Sequence, residues 1–258
     1  MNELRIDALL PQEMASRAEL LGVRKAEMPF LKMFMLAILA GAFISLGAIF
    51  ATTVGAGSIA IAASSGEAAF TTGFPYGFNR LLVGLVFCLG LILVVVGGAE
   101  LFTGNNLIVM AWANGKVTGR ALLRNWAIVY IGNFVGSIGT VILMFLTKQY
   151  TFGANSIGIA ALRTGVAKVE LTFLQAIALG ILCNALVCLA VWLTYSARST
   201  IDKIAAIVFP ITAFVAAGFE HSVANMYFIP YALFIKYFDP TYVAAVGDRV
   251  ANLDKLTW

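Results

Sequence analysis

Apolar residues come in long blocks along this chain, at 33–53, 81–98, 122–147, 172–196 and 204–217, with short polar stretches between them. Most blocks reach the ~20 residues with which a helix crosses the hydrocarbon core of a bilayer. The pattern predicts an all-α, polytopic membrane protein. Ahead of the first block, PQEMASRAELLGVRKAEM reads as an amphipathic helix that starts at Pro11, carries Met14, Leu20 and Leu21 on an apolar edge, and stops near Gly22. Such a helix suits either a place on the membrane surface or a gate. In the first block, Gly41, Ser45 and Gly47 let neighbouring helices come close, and GNFVG (132–136) in the third does the same. A Gly-, Ala- and Ser-rich loop is expected over 54–78, with Glu67 as its only charge.

Composition agrees with the pattern: 61% of residues are hydrophobic and 12% charged, about half the charged share of a soluble domain. No stretch has soluble-domain composition, so 1–258 reads as a single transmembrane domain. Its parts are an N-terminal segment (1–32), a first repeat (33–147), an inter-repeat loop (148–171) and a second, incomplete repeat (172–258). No cleavable leader is expected. The net charge of +4 is spread over loops, which gives no nucleic-acid face. Cys88, Cys183 and Cys188 fall inside apolar blocks without metal-type spacing and read as small core residues. Of the 17 Lys and Arg, ten fall on the side of the N-terminus and seven on the other. That places the N-terminus in the cytoplasm, in a bacterial-type inner membrane.

Two blocks are interrupted by polar residues. GAELFTGN (98–105) and GFEHSVAN (218–225) share the pattern G-x-E-x-x-x-x-N, and each follows one complete block. Each interruption is expected at the centre of a span whose halves are too short to cross alone, with Gly98, Glu100, Gly104 and Asn105 marking the first break and Gly218 and Asn225 the second. Three spans separate the starts of the two halves, so the second half is inverted relative to the first. Unwound backbone is tolerated at membrane depth only against protein or a water-filled cavity. Two breaks approaching from opposite faces therefore imply a pathway between them, and the amino ends of the half-helices favour an anion in it. The second half has no counterpart of the GNFVG helix, so a sixth span is expected to be missing from this chain.

The stretches GLILVVVGGAELFT (90–103), RNWAIVYIGNFVGS (124–137), LGILCNALVCLAVW (179–192) and GFEHSVANM (218–226) resemble the formate/nitrite transporter family over nearly the whole chain. The resemblance implies an aquaporin-like inverted repeat of six spans, a homopentamer in membrane lipid, and one pore through each protomer. It implies formate as the permeant ion, with nitrite or hydrosulfide as alternatives. By position, Leu101 stands at a constriction and Thr103 faces His221. Phe87 and Leu91 line one hydrophobic ring and Phe214 the other. Lys168 lies close to the pore, while Glu220 and Asn184 orient the histidine and line the slit.

Ionisable groups at a helix break are functional by default, and the imidazole of His221, the lone histidine, suits a proton donor and pH sensor. Glu220 also suits a structural pairing at its break, as does Glu100. Thr103 suits a helix cap, and Asn184 suits glue between helices. Lys168 by its own position reads as a solvated loop charge. A cation at the vestibule would concentrate an anion that otherwise loses several kcal/mol of hydration on reaching an apolar constriction. An intramembrane enzyme built on Glu220 and His221 is the remote alternative. One histidine without paired aspartates argues against a metal centre, and no cofactor is expected.

Overall fold

The structure is a computed structural model that describes residues 8–57, 59–61, 70–72 and 75–258. Glu67 lies outside the described residues. Helix α1 (Pro11–Ala26) runs past Gly22, which is not a stop: it is the point where α1 touches the chain near Ile108 and Ala111. Helix α2 (Phe30–Gly55) follows Pro29, and α3 (Tyr76–Gly97) follows Pro75. Between them, β1 (Ile59–Ile61) and β2 (Phe70–Thr72) pair as a small antiparallel ribbon within the expected loop. After the first break come α4 (Phe102–Asn105), a 3-10 turn, α5 (Val109–Ala113) and the long α6 (Gly119–Leu146).

The second half opens with α7 (Ser156–Val169), a helix where a loop was expected, and continues into α8 (Phe173–Ser196). Helix α9 (Thr200–Ala217) ends at the second break, and α10 (Ser222–Phe238) resumes after it. The remaining chain forms α11 (Pro240–Val246) and short 3-10 turns. Five of the described helices are long and apolar enough to cross a membrane: α2, α3, α6, α8 and α9. The first pieces of both broken spans are thus longer than expected. With 22 residues in α3 and 18 in α9, they extend roughly 33 and 27 Å.

Small residues set the packing. A Cβ added at Gly136 would lie 1.9 Å from the carbonyl of Ile38, and one at Gly41 would lie 2.0 Å from that of Asn133. The backbones of α2 and α6 therefore touch through GNFVG, and side chains there would force them apart. Helices α3 and α9 run antiparallel in close contact, with Gly84 against the backbone of Thr212 and the Cys88 thiol 3.4 Å from the Val208 carbonyl. Helix α7 is strapped down by the C-terminal segment. Arg163 donates to the Arg249 carbonyl, and Glu170 pairs with Lys255, which holds that carboxyl below the usual range. The outer faces carry bare apolar side chains, among them Phe173 and Phe209, each 82% exposed.

Candidate permeation pathway

Both breaks are made by the same device. Gly98 (φ 73°) and Gly218 (φ 78°) end α3 and α9 in the left-handed conformation that costs a glycine little. Two residues on, the N–H of Glu100 donates to the Leu36 carbonyl of α2 (3.1 Å), and that of Glu220 to the Leu179 carbonyl of α8 (3.4 Å). The unwound backbone is thus satisfied by the complete span of its own half. The carboxylates are held alike. Asn105 donates to Glu100 (2.7 Å), and Asn225 donates to Glu220 (2.8 Å). Lys25 donates to Glu100 at 2.7 Å, and Lys168 to both Glu220 oxygens at 3.0 and 2.8 Å.

Lys25 escaped the sequence reading, although the signal was present. Lys25 and Lys168 are 143 residues apart, the same spacing as Leu36 and Leu179; each lysine precedes its complete span by the same interval. Two other residues were missed. Asn133 of GNFVG accepts from the Phe102 N–H (2.9 Å) and donates to the carbonyls of Ala37 and Glu100 (2.8 and 2.9 Å), pinning the first break. Arg80 donates to the carbonyls of Val215 and Ala216 at the end of α9. Gly104 and Asn105 lie within the helical turn of α4, and Asn225 lies in the first turn of α10. None of the three is in unwound backbone: Gly104 is helical, and the asparagines serve the breaks through their side chains.

The chain after each break turns inward, and the two meet where Thr103 Oγ1 lies 3.1 Å from His221 Nε2, both residues being buried. His221 Nδ1 accepts the Ala224 N–H (3.0 Å) and so caps α10. That bond assigns the proton of the neutral ring to Nε2, which donates to Thr103. Phe214 stacks on the imidazole at 5.7 Å, and Phe87 meets Phe214 edge-on at 5.8 Å.

On one side of this plug lies a cavity of about 220 Å³, lined by Arg80, Phe87, Lys168, Phe214, His221 and Asn225 among others. On the other side a cavity of about 230 Å³ is lined by Lys25, Leu91, Glu100, Leu101, Asn105 and Tyr195 among others. We call these the α7-side and α1-side cavities. Phe87 lines the α7-side cavity together with Phe214, and Leu91 lines the α1-side cavity together with Leu101. A third space, a groove along α8, is lined by Thr103, Asn184, Cys188 and Glu220 among others. In it, Asn184 donates to the Cys188 sulfur, and its oxygen has no partner among the described residues. Lys168 sits in the last turn of α7, not in a loop, and its side chain is only 14% exposed.

Two glycine-capped breaks, each with its own Lys–Glu–Asn cluster, meet at a buried Thr–His contact. The sequence profile described as formate/nitrite transporter matches residues 12–257. The chain belongs to this family. It is 45% identical over 252 residues to the formate channel FocA of Escherichia coli K12, covering 97% of this chain and 84% of that one. The FocA of Haemophilus influenzae is 39% identical, covering 96% and 84%. Among solved structures, a pentameric formate channel with formate bound superposes with a TM-score of 0.75 at 44% identity, covering 87% of this chain and 84% of the other. In this family member the two halves thus repeat the same Lys–Glu–Asn pairing at the breaks, even though the motif identities between them are few.

Proposed function

We propose that this transporter-family member is a formate channel, with one pathway per protomer of a homopentamer in the inner membrane and its N-terminus in the cytoplasm. The observation that carries the reading is the buried Thr103–His221 contact between two cavities, each provided with a lysine. The names of the similar proteins support the substrate and the assembly, and the excess of Lys and Arg on the N-terminal side supports the orientation.

An anion reaching one cavity meets an ammonium whose charge is largely offset by glutamate, so it is attracted without being trapped. At the plug, Phe87, Leu91, Leu101 and Phe214 strip its water, and the cost must be met by hydrogen bonds. His221 Nε2–H and the Thr103 hydroxyl supply them when a carboxylate oxygen comes between the two. The amino end of α10 begins directly after His221 and adds positive potential there. As long as Nδ1 accepts from Ala224, the ring serves as a hydrogen-bond donor. It can hand over a proton only after Nδ1 takes one, which opens the cap of α10. pH sensitivity would enter the pathway through that step. Asn184 faces the same contact from the groove along α8 and would receive an acid O–H. Flux of formate, nitrite and hydrosulfide into proteoliposomes, measured over a pH series, tests the reading. Formate is expected to pass fastest, and absence of formate flux would end it.

A further inference from the structure

The two cavities differ at the ends of their broken helices. Each receives the carbonyl end of a broken helix, which carries partial negative charge and repels an anion. At the end of α3, on the α1 side, no side chain among the described residues donates to the terminal carbonyls. At the end of α9, on the α7 side, Arg80 donates to the carbonyls of Val215 and Ala216, and Val215 itself lines the cavity. Arg80 reaches them because α3 and α9 are antiparallel, which brings the first turns of α3 beside the last turn of α9. Lys168 is committed to Glu220 in the same cavity, so Arg80 is the cation there that no carboxylate neutralises among the described residues. A guanidinium presents five N–H donors, and two carbonyls leave some of them free. The carbonyl oxygens it covers belong to a helix end and not to a carboxylate, so its full charge is offset only in part.

We infer that Arg80 is a specificity-determining residue of the pathway: it cancels the negative end of α9 and forms, with Lys168, a subsite for a small carboxylate in the α7-side cavity. This rests on the formate-channel reading. At the α1-side cavity Arg17 donates to the Tyr195 carbonyl of the unbroken α8 and not to the end of α3. The broken-helix end stays uncancelled there and that mouth binds the anion more weakly, although the two Lys–Glu–Asn clusters match.

The test uses formate flux in proteoliposomes for the full chain, with Arg80→Gln and Arg80→Lys beside the unaltered protein. Arg80→Gln should raise the half-saturating formate concentration about threefold to tenfold, with little change in maximal rate. Arg80→Lys should restore it, and rising salt should shrink the difference. Half-saturation unchanged in Arg80→Gln would overturn the inference, as would Arg80→Lys being equally impaired, since a mere structural cap would not track charge. Independently of any variant, phenylglyoxal should modify Arg80 more slowly in the presence of formate, while the exposed Arg120 reacts at an unchanged rate. Equal protection of both, or of neither, counts against the subsite. Absent flux in the unaltered protein would instead remove the channel reading itself.

Discussion

The ion pair at the second break provides a quantitative test of how the broken helices are held. Lys168 and Glu220 stand 2.8 Å apart, each side chain 14% exposed. At an effective dielectric of ~20 two unit charges at that distance attract by about 6 kcal/mol, and most of this offsets the desolvation of the pair. The net worth of the intact pair is therefore small, but removal of one partner strands the other. For a fully buried pair that costs about 3–5 kcal/mol, and the residual exposure here lowers it to about 2–4. Glu220→Gln and Lys168→Met should each lower the apparent unfolding temperature of the purified protein by about 6–12 °C. The double variant has no stranded charge and should lose about 3 °C or less. Tryptophan fluorescence during thermal unfolding in detergent gives all four corners of the cycle. The reasoning is refuted if the double variant falls by the sum of the two single drops, because the lysine and glutamate would then act independently. Flux provides a second reading of the same variants. A bare Lys168 in Glu220→Gln should hold formate harder, lowering both half-saturation and maximal rate, whereas Lys168→Met should raise half-saturation.

Three further predictions concern the frame around the pathway. Gly136→Ala places a methyl 1.9 Å from the Ile38 carbonyl and must separate α2 from α6; loss of folded protein on size-exclusion chromatography is expected, and a normal yield with unchanged unfolding temperature would contradict the packing argument. Gly218→Ala has open space apart from the Arg80 guanidinium at 3.7 Å, so its cost should be the left-handed backbone alone, about 1–2 kcal/mol, read as a few degrees in the same melt. His221→Asn retains a side-chain acceptor for the Ala224 N–H but cannot titrate; it should fold normally and conduct formate with a flattened pH profile, whereas His221→Ala should also lose about 1 kcal/mol of cap.

The spans and both breaks were legible in the sequence because they rest on local signals. Long apolar blocks have few alternatives, and a glycine followed by a lone glutamate in hydrocarbon marks a place where helix cannot continue unaided. The close approach at GNFVG was legible for the same reason, since only small residues permit it. What escaped depends on register between distant segments. Aligning the halves on their breaks gives a spacing of 120 residues, whereas the complete spans and their lysines repeat at 143. The long connection through the ribbon at β1 and β2 accounts for most of that difference. Lys25 is invisible under the first spacing and evident under the second. Helix α7 is not legible in the sequence because its apolar residues, among them Ile157, Leu162 and Val166, form one buried stripe too sparse to register as a span. Asn79 and Arg80 directly precede the apolar block at 81–98. They lie inside the first turns of α3, where the partner helix supplies what Arg80 binds.

Phe87 and Leu91 show how such distant contacts bear on the apolar lining. They are four residues apart and share one face of α3, which suggests a single ring. Whether they act together depends on what passes in front of that face. Thr103 and His221, carried by the chain after each break, meet between the two cavities, and Phe87 and Leu91 line different ones. The hydrophobic barrier is thus split around a polar contact. On the proposed function, an anion that sheds its water against Phe87 and Phe214 would reach a hydrogen-bond donor before passing Leu91 and Leu101. Conduction needs binding strong enough to bring the ion in and weak enough to release it. A bare buried ammonium on each side would fail the second condition and a wholly apolar bore the first. Lysines tempered by glutamates, with a neutral donor at the centre, satisfy both. Breaking each span at a Gly-x-Glu is what places those glutamates at the mouths and the donor between them.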